Sequence, residues 1–120
     1  MLVIEDNAIN LELLVYALTA FGHEVQSAMS GLEGQVMVKK ERPAIILCDI
    51  QMPGMDGYQF AQWLKAEPEL NTIPLIGVSA LAMLGDRDKA LQAGFDDYLS
   101  KPVDFTLLRA SLNRFHATPS

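Results

Sequence analysis

Five short runs of β-favouring apolar residues recur along this chain, and each is followed by a longer amphipathic segment. Such alternation confines the fold to βα units, with a parallel sheet covered by helices on both faces. Leu2–Ile4 is the first run, and Asn7 is placed to cap a helix after it. Leu11, Leu14, Val15 and Leu18 recur at helical spacing, Phe21 continues that face, and Gly22 stops it. Glu24–Ala28 reads as a weak second strand. Gly31–Lys40 reads as a poor helix, because Gly34 costs about 1 kcal/mol against alanine in a helix interior and Val36 and Val38 are β-branched. Ala44–Cys48 is apolar throughout, as in a strand buried on both faces. A loop from Asp49 to Gly57 follows, punctuated by Pro53, Gly54 and Gly57. Asp56 can cap a helix running to about Ala66, with Phe60, Ala61 and Leu64 on one face. Pro74–Val78 is the fourth strand, Leu84–Ala93 the fourth helix, and Tyr98-Leu99 the core of a short fifth strand. Asp104 can cap a last helix carrying Phe105, Leu108, Leu112 and Phe115, and Thr118-Pro119-Ser120 reads as tail.

The chain has 120 residues, which leaves room for one domain and no separate output domain. Fifteen acidic residues against nine Lys and Arg give a net charge of −6, the wrong sign for a surface built to hold nucleic acid or an anionic membrane. A single cysteine, Cys48, excludes an internal disulfide framework and a cysteine-rich zinc site. The longest apolar run, Ala44 to Cys48, is far too short to span a bilayer. The opening Met-Leu-Val-Ile runs straight into Glu-Asp, unlike a signal peptide. These features lead us to expect a cytoplasmic domain.

In an open parallel sheet, ligands bind beyond the carboxyl ends of the strands. The first strand delivers Glu5 and Asp6 there, the third Asp49, the fourth Ser79 and the fifth Lys101. The second delivers only Ala28-Met29-Ser30, as suits an edge strand remote from the site. Three converging carboxylates cannot all ionise without a cation. Mg²⁺ is the natural one, since it takes oxygen ligands from a few carboxylates together with phosphate and water. Lys101 can pair with a carboxylate or a phosphoryl oxygen, and Ser79 can donate a hydrogen bond to the same group. An aspartate is already ionised at pH 7 and needs no base to act as a nucleophile. The combination suits phosphoryl transfer to a carboxylate, which depends on positioning and charge neutralisation.

These residues resemble the receiver domain of bacterial two-component response regulators from end to end. The resemblance rests on Glu5-Asp6 after the first strand and on Asp-x-x-Met-Pro-Gly-Met-Asp-Gly from Asp49 to Gly57. It is carried further by Ser79-Ala80 and by Ala-Gly-Phe-Asp ahead of Tyr98-Leu99-Ser100-Lys101-Pro102. It implies a flavodoxin-like doubly wound (βα)5 sandwich with strand order 2-1-3-4-5. It makes Asp49 the phosphoacceptor, with Mg²⁺, or Mn²⁺ in its place, held by Asp6, Asp49, the backbone carbonyl of Gln51 and, through water, Glu5. Lys101, Ser79 and Ala80 would bind the phosphoryl group, Ser79 and Tyr98 would switch, and the Lys101–Pro102 peptide would be cis. The donor would be a histidine kinase or histidine phosphotransfer protein. A downstream protein would read the surface of the fourth helix, fifth strand and fifth helix, with the chain a monomer or weak dimer. Gln51 and Leu81 occupy places that tune loss of the phosphoryl group, and apolar Leu81 implies a long-lived phosphorylated state.

Simpler readings stand beside these. Asp56, Asp96 and Asp104 read as turn residues or helix caps, Cys48 as a small buried hydrophobe, and Trp63 as half exposed. Neither His23 nor His116 has a partner suggesting catalysis. The same site would serve a receiver domain cut from a hybrid histidine kinase or a DNA-binding regulator. A small aspartyl-nucleophile phosphohydrolase would place a second Asp where this chain has Gln51. A flavin or nucleotide binder would need a phosphate loop where this chain has Glu5-Asp6-Asn7-Ala8.

Overall fold

A computed structural model of the chain describes residues 1–80 and 85–115. Ten elements alternate along it: β1 (Leu2–Ile4), α1 (Ala8–Ala20), β2 (Gln26–Ala28), α2 (Gly31–Lys40), β3 (Ile46–Asp49), α3 (Gly57–Ala66), β4 (Leu75–Ser79), α4 (Asp86–Ala93), β5 (Asp97–Ser100) and α5 (Phe105–Arg114). The five strands form one parallel sheet in the order β2-β1-β3-β4-β5. The weakest strand pattern in the sequence, β2, is an edge. Leu81, the expected helix start at Leu84, His116 and the Thr118-Pro119-Ser120 tail lie outside the described residues. Among the described residues no helix is long and apolar enough to cross a membrane.

Two apolar layers sandwich the sheet. Leu2, Ile4, Ile46, Cys48 and Leu75 face α2, α3 and α4, where Val38, Phe60, Leu64 and Ala90 meet them. Val3, Leu47, Ile76 and Leu99 face α1 and α5, where Leu14, Leu18, Leu108 and Leu112 meet them. This is the period-two alternation of strands buried on both sides.

Local chemistry starts four of the helices, at Asn7, Asp56 and Asp104 as the sequence indicates and at Ser30, which the sequence pattern does not single out. Asn7, Ser30, Asp56 and Asp104 each accept a hydrogen bond from a backbone N–H of the first turn that follows. Asp56 and Gln59 complete a reciprocal capping box. Strand limits move by one or two residues from the sequence reading. Pairing in the sheet draws Asp49, Ser79, Asp97 and Ser100 into strands, whereas Ala44, Ile45 and Pro74 precede theirs. On α1 the buried residues are Leu14, Ala17 and Leu18, with Val15 half-buried. Asp96 is no turn cap. It accepts the Leu75 N–H at 2.8 Å and pairs with the Lys65 ammonium at 3.2 Å, fastening β4 to the end of α3.

Gly34, a helix breaker by propensity, has a packing reason. A Cβ there would lie 2.5 Å from Cδ1 of Ile4, so a larger residue would have to displace the buried Ile4 side chain or move α2 off β1. Cys48 is fully buried; burial, reinforced by the nearby Asp49, Glu5 and Asp56 charges, pushes its thiol well above its ordinary value. That makes it unreactive. Trp63 is half-buried against Phe60, with the Lys39 ammonium 5.7 Å from its ring.

Candidate functional site

Strand register assembles the site. Leu2, Val3 and Ile4 of β1 stand level with Ile46, Leu47 and Cys48 of β3, so the next residues, Glu5 and Asp49, come level at the carboxyl edge. Alternation gives Glu5 the parity of Val3, Asp49 that of Leu47 and Lys101 that of Leu99, all on the α1/α5 side. The first, third and fifth strands therefore aim two acids and a base at one place.

Glu5 is 1% exposed and Asp49 4%. The Lys101 ammonium lies 2.6 Å from Glu5 Oε1 and 3.4 Å from Asp49 Oδ2. The Lys101 backbone N–H donates to the Ser79 carbonyl at 2.7 Å, which moors the lysine to the end of β4. The peptide between Lys101 and Pro102 is cis. The Gln51 backbone N–H donates to Asp49 Oδ1 at 3.1 Å. Asp6 completes an acidic triad with Glu5 and Asp49, one oxygen from each lying within 4.8 Å of the others.

The triad fits a hard divalent cation. Glu5 Oε2 is buried without a hydrogen-bond partner in a cluster where Lys101 supplies one positive charge. An unpaired buried carboxylate oxygen is expensive, and a cation with oxygen ligands is the partner that this donor set suits. Glu5, Asp6 and Asp49 are the side chains that would hold it.

The acids share their protons unequally. Burial, then the hydrogen bond and negative charge of Glu5, raise Asp49 to about 7 against the opposing pull of Lys101 and the Gln51 N–H. Burial raises Glu5 too, but its contacts with Asp49, Lys101 and Asp6 prevail and hold it below its ordinary value. The pair therefore titrates as a unit, with the last proton on the Asp49 side. Below pH 7 a metal must displace that proton. We expect apparent Mg²⁺ affinity to rise about tenfold between pH 6 and pH 8 and then level off. Calorimetric titration across that range checks this, and a flat affinity would mean Asp49 is ionised throughout.

Ser79 is fully buried at the end of β4, Ala80 beside it is exposed, and the Gln51 side chain is exposed. Tyr98 is half-buried in the middle of β5. Glu5, Asp6, Asp49, Gln51 and Lys101 are thus brought together, whereas Tyr98, three residues before Lys101, packs on the α2/α3/α4 side of the sheet. The sequence reading passed over Asp97. It is 2% exposed and bonded to both α4 and α5.

Comparison with known proteins gives a consistent picture. The response regulator receiver domain family matches residues 1–113. The chain is 39% identical over 102 residues to the polar-differentiation response regulator DivK of Brucella anthropi, spanning 85% of this chain and 83% of that protein. It is 42% identical over 117 residues to the response regulator PleD of Caulobacter vibrioides, spanning 95% of this chain but only 26% of PleD. Among solved structures, it superposes with a TM-score of 0.88 and 32% identity on the receiver domain of sensor histidine kinase PA1611 from Pseudomonas aeruginosa PAO1. That match covers 98% of this chain and 96% of the other, which carries a magnesium ion coordinated in its active site cleft.

Proposed function

Because the chain belongs to the response regulator receiver domain family, we propose that it is a phosphorylation-dependent switch whose phosphoacceptor is Asp49. The observation that carries the assignment is the convergence of Glu5, Asp49 and Lys101, from three different strands, within one salt-bridged cluster. Asp49 is the member of that cluster at a strand end with its Oδ1 fixed by a backbone N–H. Residues 1–120 then constitute one receiver domain.

The chemistry follows from these residues. An Asp49 oxygen attacks phosphorus of a phosphohistidine, forming a P–O bond as the P–N bond breaks. The electron pair stays on the imidazole nitrogen, which takes a proton from solvent. The Gln51 N–H holds one carboxylate oxygen and so orients the other. Lys101, already between Glu5 and Asp49, turns its ammonium to the incoming phosphoryl oxygens. When bound by Asp6, Asp49, the Gln51 carbonyl and, through water, Glu5, Mg²⁺ or Mn²⁺ supplies the remaining charge neutralisation. Ser79 and Ala80 bind the product's phosphoryl oxygens, and Ser79 and Tyr98 relay its arrival.

A receiver domain works with a histidine kinase or phosphotransfer protein and with a downstream partner. We assign the partner-reading surface to α4-β5-α5, because α4 and α5 flank the strand that leads into Lys101. A cytoplasmic monomer or weak dimer fits this role. The test is incubation with Mg²⁺ and acetyl phosphate followed by intact mass. One phosphoryl group per chain is expected, none with EDTA, and a decay slower than seconds. No increment with any donor sinks the proposal.

A further inference from the structure

The α4-β5-α5 region contains a charged cluster that the phosphoacceptor site does not use. Its centre is the Asp97 carboxylate, on the first residue of β5 and 2% exposed. Oδ1 accepts from Arg87 Nη2 of α4 at 3.0 Å and from the Tyr98 N–H at 2.8 Å. Oδ2 accepts from the Ser111 hydroxyl of α5 at 2.6 Å and pairs with Arg114 Nη1 at 3.3 Å. Arg87 Nη1 also donates to the Tyr98 carbonyl at 3.3 Å. One buried carboxylate thus joins two helices from opposite faces of the sheet, and both backbone polar groups of Tyr98 belong to the same network.

Apolar burial among the described residues of α4 is sparse. Ala90 is its one fully buried residue, and a methyl group anchors weakly. The helix starts from Gly85 at φ +94° with no side-chain cap. A further tie is the Lys89 ammonium 4.8 Å from the Tyr58 ring on α3. Where apolar burial is this sparse, placement falls to directional polar contacts. Those weaken steeply with small displacements and bad angles, so the helix is either latched or released. Burial alone would raise the Asp97 pKa. The Ser111 hydroxyl, the Tyr98 N–H, Arg114 and Arg87 together outweigh it and keep the carboxylate below its ordinary value.

We infer that Asp97 is a positioning residue, a latch that holds α4 and α5 on β5 in the arrangement where Lys101 is paired with Glu5 and Asp49, and that it thereby opposes the phosphorylated arrangement. This rests on the proposed function, in which arrival of a phosphoryl group at Asp49 shifts the α4-β5-α5 surface. By linkage, a contact made in one arrangement and lost in the other weakens every ligand of the other. Releasing the latch therefore tightens binding of a phosphoryl mimic at a site on the opposite side of β4.

The arginines are the place to test this, since their side chains are 54% and 57% exposed and can be shortened without opening the core. Arg87→Met and Arg114→Met keep much of the aliphatic stem and remove the charge. Wild type and variants are titrated with beryllofluoride in Mg²⁺, followed by amide resonances of β5, with thermal melts and amide exchange on the same samples. Each variant is expected to bind about fivefold more tightly than wild type, with faster exchange in the helix it frees. Affinity unchanged or lowered in both variants overturns the latch while the receiver assignment stands. A wild-type protein that takes up no beryllofluoride and no phosphoryl group overturns both.

Discussion

Asp49→Asn is expected to take up no phosphoryl group from acetyl phosphate and, in EDTA at pH 8, to melt several degrees above wild type. The first half follows from losing the nucleophilic carboxylate. The second follows from electrostatics. Folding raises Asp49 from about 3.8 to about 7, because the residue is buried beside Glu5. Between those values the folded chain holds a proton that the unfolded chain has released. Stability therefore falls as pH rises through that window, and the full cost is present above about pH 7. Asparagine keeps the shape and carries no charge. The lowered Glu5 returns part of the cost, so the net gain is on the order of 1–2 kcal/mol, or roughly 4–8 °C in a domain of this size. Calorimetry at pH 8 and pH 4.5 checks it, because the difference should shrink at the lower pH. Adding Mg²⁺ should stabilise wild type and do much less for the variant. Equal melting points at pH 8 would show that the buried pair costs nothing.

The other large effect is expected at Gly57→Ala. A Cβ at Gly57 would lie 2.5 Å from the Ile50 Cα and 2.7 Å from the Asp49 carbonyl oxygen. Both are backbone atoms, so no side chain can rotate away. The Gly57 N–H also donates to the Ile50 carbonyl at 2.9 Å, which pins the first turn of α3 to the end of β3. The methyl group must push α3 off β3 and drag Asp49 with it. We expect a loss of about 2–3 kcal/mol and phosphoryl uptake slowed by more than about tenfold, since a misplacement of about 1 Å is costly in transfer chemistry. Gly54→Ala is the matched control. Gly54 has φ +75° with open space around it, so its cost is conformational, about 1 kcal/mol, and leaves Asp49 in place. Denaturant melts and initial rates for the two variants separate crowding from strain. A Gly57→Ala protein as active as the control would mean the β3–α3 junction is not what sets Asp49.

Much of this site is legible in the amino-acid sequence alone. Glu5, Asp49 and Lys101 each follow a readable strand, and parallel strands deliver their last residues to one edge. The caps were legible for the same local reason, since Asn7, Asp56 and Asp104 act on N–H groups within three residues of themselves. Asp97 was not. It stands beside Asp96 in a strand with only two apolar residues, and nothing in Asp-Asp-Tyr-Leu says which acid turns inward. Its partner Ser111 is fourteen residues away on a helix whose visible pattern is apolar. Gly34 was visible as an anomaly, but the clash that explains it involves Ile4, thirty residues back. The phase of α1 was similarly open. Ile9, Leu13 and Tyr16 are apolar yet 70%, 53% and 74% exposed, so hydrophobicity runs round the helix and does not select a face.

The ion pair between Lys101 and Glu5 joins residues 96 positions apart. The acids Glu5, Asp6 and Asp49 all belong to the first half of the chain, and Lys101, the ammonium that pairs with Glu5 and Asp49, follows the last strand. A nascent chain leaving the ribosome therefore has β1 and β3 available long before it can neutralise what they carry. Closing that contact draws the first and last strands of the sheet into one knot of charge, the kind of long-range pairing that slows folding. The chemistry of the site and the completion of the sheet are thus the same late event, and a chain cut short before Lys101 would bring its acids together without the lysine that pairs with them.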